Sequence, residues 1–181
     1  MSPAAERGEG GRRLFFALWP GEAARARLAD WSRELHALCG GRAPLAQDLH
    51  LTLAFLGRVP AGRIGEVERS AQEVSPPAAT LILDRPGFWQ HNRIAWAGAS
   101  SVPAELETLV RGLQEALARV RIAFDPKPFV PHVTLLREAR EARNMPVLDP
   151  IRWDLDGFVL AGPSARGGGR YEVIRSWGTR R

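Results

Sequence analysis

Two of the four histidines in this 181-residue chain open the same pattern, His50-Leu51-Thr52-Leu53 and His132-Val133-Thr134-Leu135, 82 residues apart. With five threonines in the chain, a given histidine has one two places on about 3% of the time by chance, so a repeated pair is a signal where a single pair is not. In an extended strand residues i and i+2 leave the backbone on the same side, so each pattern presents an imidazole and a hydroxyl together. Leu49, Leu51 and Leu53, and Val133 and Leu135, then fall on the opposite side and supply core contacts. Imidazole titrates near neutrality, with an unperturbed pKa of about 6.5, so one ring can take a proton from water while the other gives one to a departing oxygen. Threonine hydroxyls can donate to phosphate oxygens whose charge must be held in the transition state. Two facing His/Thr pairs therefore suit in-line displacement at phosphorus, a chemistry that calls for no metal and no cofactor.

Rival chemistries find less support. HExxH and paired CxxC sets are absent, and His36 with Cys39 is too little for zinc. No GxSxG serine elbow occurs. The stretch Ala165 to Tyr171 (ARGGGRY) lacks the GK[ST] ending of a P-loop and reads as a hairpin turn between exposed arginines. Phe88 and Trp89 are candidates to stack on a base, with packing as the simpler role, and His36 and His91 read as surface residues.

The elements that must position these residues follow from periodicity. Arg12 to Trp19 is an apolar run closed by Pro20 and Gly21, which fits a buried strand. Leu28, Trp31, Leu35 and Leu38 mark a helix over Glu22 to Leu38, stopped by Gly40-Gly41. Leu49 to Phe55 alternates as a strand with one buried face, which places Phe55 on the apolar side. Ile64, Val67, Ala71 and Val74 predict a second helix over Pro60 to Val74, ended by Pro76-Pro77. Thr80 to Leu83 and Arg93 to Ala97 are expected to pair antiparallel around a turn-rich connection, Asp84 to Asn92. A third helix begins near Ser101 and Pro103, with Leu106, Leu109, Val110, Leu113, Leu117 and Val120 on its apolar face. Ile151 to Leu160 and Arg170 to Trp177 should form a hairpin about Gly167 to Gly169. This mixture is expected to give an α+β fold with mostly antiparallel pairing.

The length suits one domain, and 45% hydrophobic with 25% charged residues is the composition of a globular chain. Met1 to Gly11 is small and polar and reads as a disordered leader, leaving 12–181 as a single domain. No run approaches a membrane span, and one cysteine cannot form an internal disulfide, so the expectation is a cytoplasmic protein away from membranes. The net charge is +5, and every base except Lys127 is arginine. A coding bias accounts for that skew as readily as an anionic partner such as RNA, which guanidinium groups suit.

The two motifs and their surroundings resemble the 2H phosphoesterase superfamily, in particular its RNA 2′,3′-cyclic phosphodiesterase branch, historically called 2′-5′ RNA ligases. RRLFFALWP at Arg12 to Pro20, LHLTLAFLG at Leu49 to Gly57, IAWAG at Ile94 to Gly98 and FVPHVTLLR at Phe129 to Arg137 carry the likeness, which spans most of the chain. The resemblance implies a bilobal, pseudo-two-fold fold with one motif per lobe, sheets lining a central groove and helices outside. It implies metal-independent hydrolysis of the cyclic phosphate at an RNA end to a 2′-phosphate, with reversible 2′-5′ ligation as a companion reaction. His50 and His132 become the acid/base pair, Thr52 and Thr134 the donors to phosphate, and Arg137 a substrate anchor. Analogy leans towards His132 activating water and His50 protonating the 3′ oxygen. It also brings Phe55 near the base. Strict alternation puts Arg137 on the core face, so the strand must end or twist before it. Two other readings share the motifs: a phosphodiesterase for a small cyclic phosphate nucleotide, and a non-catalytic RNA-binding module. A monomer is expected.

Overall fold

The computed structural model describes residues 10–164 and 170–178. Most of the expected leader and the Gly167–Gly169 turn lie outside them.

The apolar run after Arg12 forms β1 (Arg12–Leu18), and Pro20-Gly21 turn the chain into α1 (Glu22–Cys39). The core-facing stripe of α1 ends on Cys39, while Leu38 is exposed. The reason is angular: from Leu28, eleven residues complete three turns and ten fall short. A 3-10 turn, Ala46–Asp48, leads to His50 and then β2 (Leu51–Val59). The second helix is shorter than its apolar spacing suggested, a 3-10 turn at Ala61–Arg63 running into α2 (Ile64–Ala71). Next come β3 (Ala79–Leu83), β4 (Arg85–Trp89) and β5 (Ile94–Gly98). Then α3 (Ala104–Arg119) starts one residue past Pro103, not at Ser101. β6 (His132–Leu136), β7 (Ile151–Leu155), β8 (Gly157–Pro163) and β9 (Tyr171–Gly178) complete the order.

Seven strands form one sheet in the order β4-β5-β6-β2-β1-β8-β9, and β3 with β7 forms a second; every pairing is antiparallel. The expected pairing of Thr80–Leu83 with Arg93–Ala97 is not what occurs. β3 pairs with β7, and β5 takes β4 from within the supposed connection. Pro86 and Gly87 signalled a turn, but β4 is an edge strand, where a proline lacking its N–H is tolerated. Ile151 to Leu160 likewise divides at Asp156 into strands of two sheets, and only its second part forms the hairpin with β9.

The chain contains an internal repeat. β1 and β5 begin at Arg12 and Ile94, and α1 and α3 at Glu22 and Ala104, each pair separated by the same 82 residues as the two histidines. The two strand-helix-strand units meet where β2 pairs with β6 through Leu51 and Val133, each the residue after its histidine. The helices exchange support: α1 packs on β5 and β6 of the other unit, and α3 on β2. Ser32 donates to the Leu135 carbonyl at 3.0 Å, a buried tie between α1 and β6. Leu14, Phe16, Leu28, Trp31, Leu51, Leu113 and Val133 lie in the core beneath the helices. A small separate cluster, Phe15, Ala17, Val159 and Ala161, covers the other face of the sheet, where the groove lies.

Candidate active site

His50 and His132 stand at the mouths of the two central strands. In each ring Nδ1 meets the carbonyl of the residue two places earlier, Asp48 at 2.6 Å and Val130 at 2.8 Å. A carbonyl only accepts, so Nδ1 carries hydrogen and the neutral ring keeps its lone pair on Nε2. Both imidazoles are thus set in the same tautomer by backbone alone. Burial lowers the pKa of each below 6.5 against the raising effect of those carbonyls, and the Arg137 charge lowers both further.

Thr52 and Thr134 follow on the same side, and His50, Thr52, His132, Thr134 and Arg137 all line one groove of about 600 Å³. The five residues singled out from the sequence therefore share a site. Arg137 reaches it because β6 carries an extra residue: Thr134 pairs with Trp96 and Leu136 with Ala95, so Leu135 is bulged and both leucines are buried. The bulge reverses the alternation, and Arg137 turns to the groove. Its backbone exchanges hydrogen bonds of 2.8 and 2.9 Å with Arg42. Gly41 makes that approach possible, because at its φ of +87° a Cβ would lie 2.6 Å from the Arg137 carbonyl.

β2 repeats the device. Thr52 pairs with Ala17 and Ala54 with Phe16, so Leu53 is the extra residue and Phe55 swings out of the core face to line the groove. Phe55 and Arg137 each lie five residues after a histidine. Alternation alone misplaced Phe55 for the same reason it misplaced Arg137.

Around this shared plan the two halves differ. His50 is stacked against Phe15 (4.9 Å) and Trp19 (5.2 Å) and meets the edge of Tyr171 (5.1 Å). His132 has one aromatic neighbour among the described residues, Trp89, edge-on at 4.5 Å. Trp89 leans on Trp96 at 5.3 Å, and Trp96 in turn lies over Gly87 and Gly98, where a Cβ would come within 2.1 and 2.6 Å of its ring. Phe88 packs against the core instead. His91 is exposed, as a surface residue, and also lines the groove with Asn92, Gln114 and Lys127. The sequence reading missed Phe15, Trp19, Asp48 and Tyr171. One signal for the first was present, since a strand apolar at every position must bury both faces.

A sheet folded from two equivalent halves, with a His/Thr pair from each on one groove, defines a two-histidine phosphoesterase architecture. The LigT-like phosphoesterase family model matches residues 18–96, which include the first motif. The chain is 36% identical over 169 residues to the RNA 2′,3′-cyclic phosphodiesterase of Escherichia coli strain K12, covering 92% of this chain and 96% of that protein. It is 33% identical to the protein of that name from Thermus thermophilus, over 82% of this chain and 80% of the relative. The solved structure of E. coli LigT complexed with 3′-AMP superposes with a TM-score of 0.84 at 34% identity, over 95% of this chain and all of that one. The chain belongs to the LigT-like phosphoesterases, whose named relatives are RNA 2′,3′-cyclic phosphodiesterases.

Proposed function

We propose that this protein hydrolyses the 2′,3′-cyclic phosphate at the end of an RNA, leaving a 2′-phosphate and a free 3′ hydroxyl. The observation that carries the reading is the pair of imidazoles on one groove, each with Nδ1 committed to a carbonyl and Nε2 left for chemistry. His132 takes a proton from water, the water oxygen bonds to phosphorus, the bond to the 3′ oxygen breaks, and His50 supplies that oxygen with its proton. Thr52 and Thr134 donate to the non-bridging oxygens, and Arg137 offsets their charge. Among the described residues no carboxylate pairs with Arg137, which leaves its guanidinium available to a phosphate. Phe55 and Trp89 offer aromatic surface for the terminal base.

The names of the relatives support RNA as the substrate, and the arginine-rich surface suits it. Among the described residues no helix is long and apolar enough to cross a membrane. We infer one bilobal domain over 12–181, working as a monomer in the cytoplasm; a single sheet continuous across both halves supports the first part.

The test is incubation with a short RNA ending in 2′,3′-cyclic phosphate, with EDTA present, and assignment of the product phosphate. A 2′-phosphate from the unmutated protein, absent with His50→Ala and with His132→Ala, is the expected result. Tight binding without turnover would replace the enzyme by a binding module. Dependence on added metal would overturn the metal-free step.

A further inference from the structure

The two motifs are equivalent in backbone but not in what stands behind each histidine. Two places before His132 is Val130, exposed and apolar; two places before His50 is Asp48, an acid only 7% exposed. Its carbonyl holds His50 Nδ1, and its carboxylate Oδ1 accepts the Tyr171 N–H at 3.2 Å. The Tyr171 ring in turn closes the aromatic surround of His50, whose faces rest on Phe15 and Trp19. A buried negative charge and two π faces favour imidazolium over imidazole, and His132 has neither.

We propose that Asp48 is the positioning residue that breaks the two-fold equivalence, keeping the catalytic proton on His50 so that His50 acts as the acid. The inference rests on the hydrolysis proposed above. Other groups facing His50 act the opposite way or not at all. From β6 comes His132, and from the residue just after that strand Arg137, whose charges disfavour a second proton. Tyr171 comes from β9. Arg42, from the segment after α1, lines a cavity of about 190 Å³ beside His50 but is paired with Glu138 at 2.8 Å. Burial and Arg137 lower the proton affinity of His50, so the Asp48 charge is the raising influence that a substitution can remove.

Asp48→Asn keeps an oxygen for the Tyr171 N–H and removes the charge. Proton NMR titration of the imidazoles in the unliganded protein should show the His50 midpoint moving to lower pH, with that of His132 unmoved. With the cyclic-phosphate RNA, the alkaline limb of the kcat/KM profile should move down in step, a several-fold loss above neutrality with little loss on the acid side. Asp48→Glu, which retains charge, should restore much of it. An unmoved His50 midpoint in folded Asp48→Asn overturns the proposal, as does an equal loss at every pH, which would mark a purely structural role. Asp48→Glu, titrated in the same way, gives a second reading if the Asn variant does not fold: its His50 midpoint should stay close to that of the unmutated protein, and a midpoint displaced to lower pH with the charge retained also overturns the proposal. Absence of turnover by the unmutated protein would defeat the hydrolysis reading alone, since the titrations need no substrate.

Discussion

The imidazoles of His50 and His132 are pulled below their ordinary value chiefly by burial, so the unliganded protein at neutral pH holds both mostly neutral. The proposed mechanism uses one proton between them, and a bound phosphate anion restores proton affinity at the site. Both limbs of the kcat/KM profile should therefore lie below the free-histidine value of about 6.5. Arg137→Gln removes a cation that lowers both rings, so both limbs should move to higher pH while kcat/KM falls. A profile that keeps its position would separate Arg137 from the histidines. Removal of either imidazole should cost about 10²- to 10⁴-fold in kcat, the usual span for a general acid or base. Thr134→Val should lose about 10²-fold, the lower end for one oxyanion donor. Both are read from initial rates on the cyclic-phosphate RNA.

At the scale of elements, the bulges at Leu53 and Leu135 let two core-building strands also serve the groove. Each turns the residue five places after the histidine, Phe55 or Arg137, out of the core. Inserting one alanine between Leu136 and Arg137 would keep the bulge but shift the alternation by one, aim Arg137 at the core face, and is expected to abolish activity and lower Tm. The hairpin of β4 and β5 is equally specific, because Gly87 and Gly98 are the floor on which Trp96 lies. Gly87→Ala should cost about 1 to 3 kcal/mol through displacement of that ring, measured by thermal or urea unfolding. As Trp96 supports Trp89 and Trp89 abuts His132, turnover should fall more than unfolding explains.

For the whole molecule, burying two histidines in the neutral form links stability to pH. Their folded pKa values lie below the unfolded value of 6.5, so the unfolded chain binds more protons as pH falls through that window. Stability is complete above about pH 6.5 and declines towards about pH 5, before the acidic side chains titrate. The double variant His50→Ala/His132→Ala should show a flatter Tm in that interval; an unchanged slope would place the dependence elsewhere. A net charge of +5 with an arginine-rich surface also predicts that affinity for longer RNAs exceeds that for a mononucleotide and weakens as salt rises. Titrations at two ionic strengths check this.

How far these features could be read in advance depends on the range of the interaction that sets them. Local patterning determined the chemistry: the repeated His-x-Thr, its hydrophobic opposite face and the helices that follow each first strand are set by neighbours a few residues apart. The resemblance of the motifs to their family is local in the same sense. Only tertiary structure decided which strands pair, because β3 and β7 are brought together by burial across some seventy residues of chain, and Pro86-Gly87 conceals an edge strand from any local rule. It also decided the facing of Phe55 and Arg137. A bulge is a misfit between two strands and has no signature in one of them, although the 82-residue repeat aligned the two positions. The surround of His50 is assembled from β1, the turn before β2 and the start of β9, three segments related by nothing but the fold. Residue types and spacing thus determined what the groove can do, and long-range packing decided which histidine stands beside a buried carboxylate, because charge in a protein interior acts through space and not along the chain.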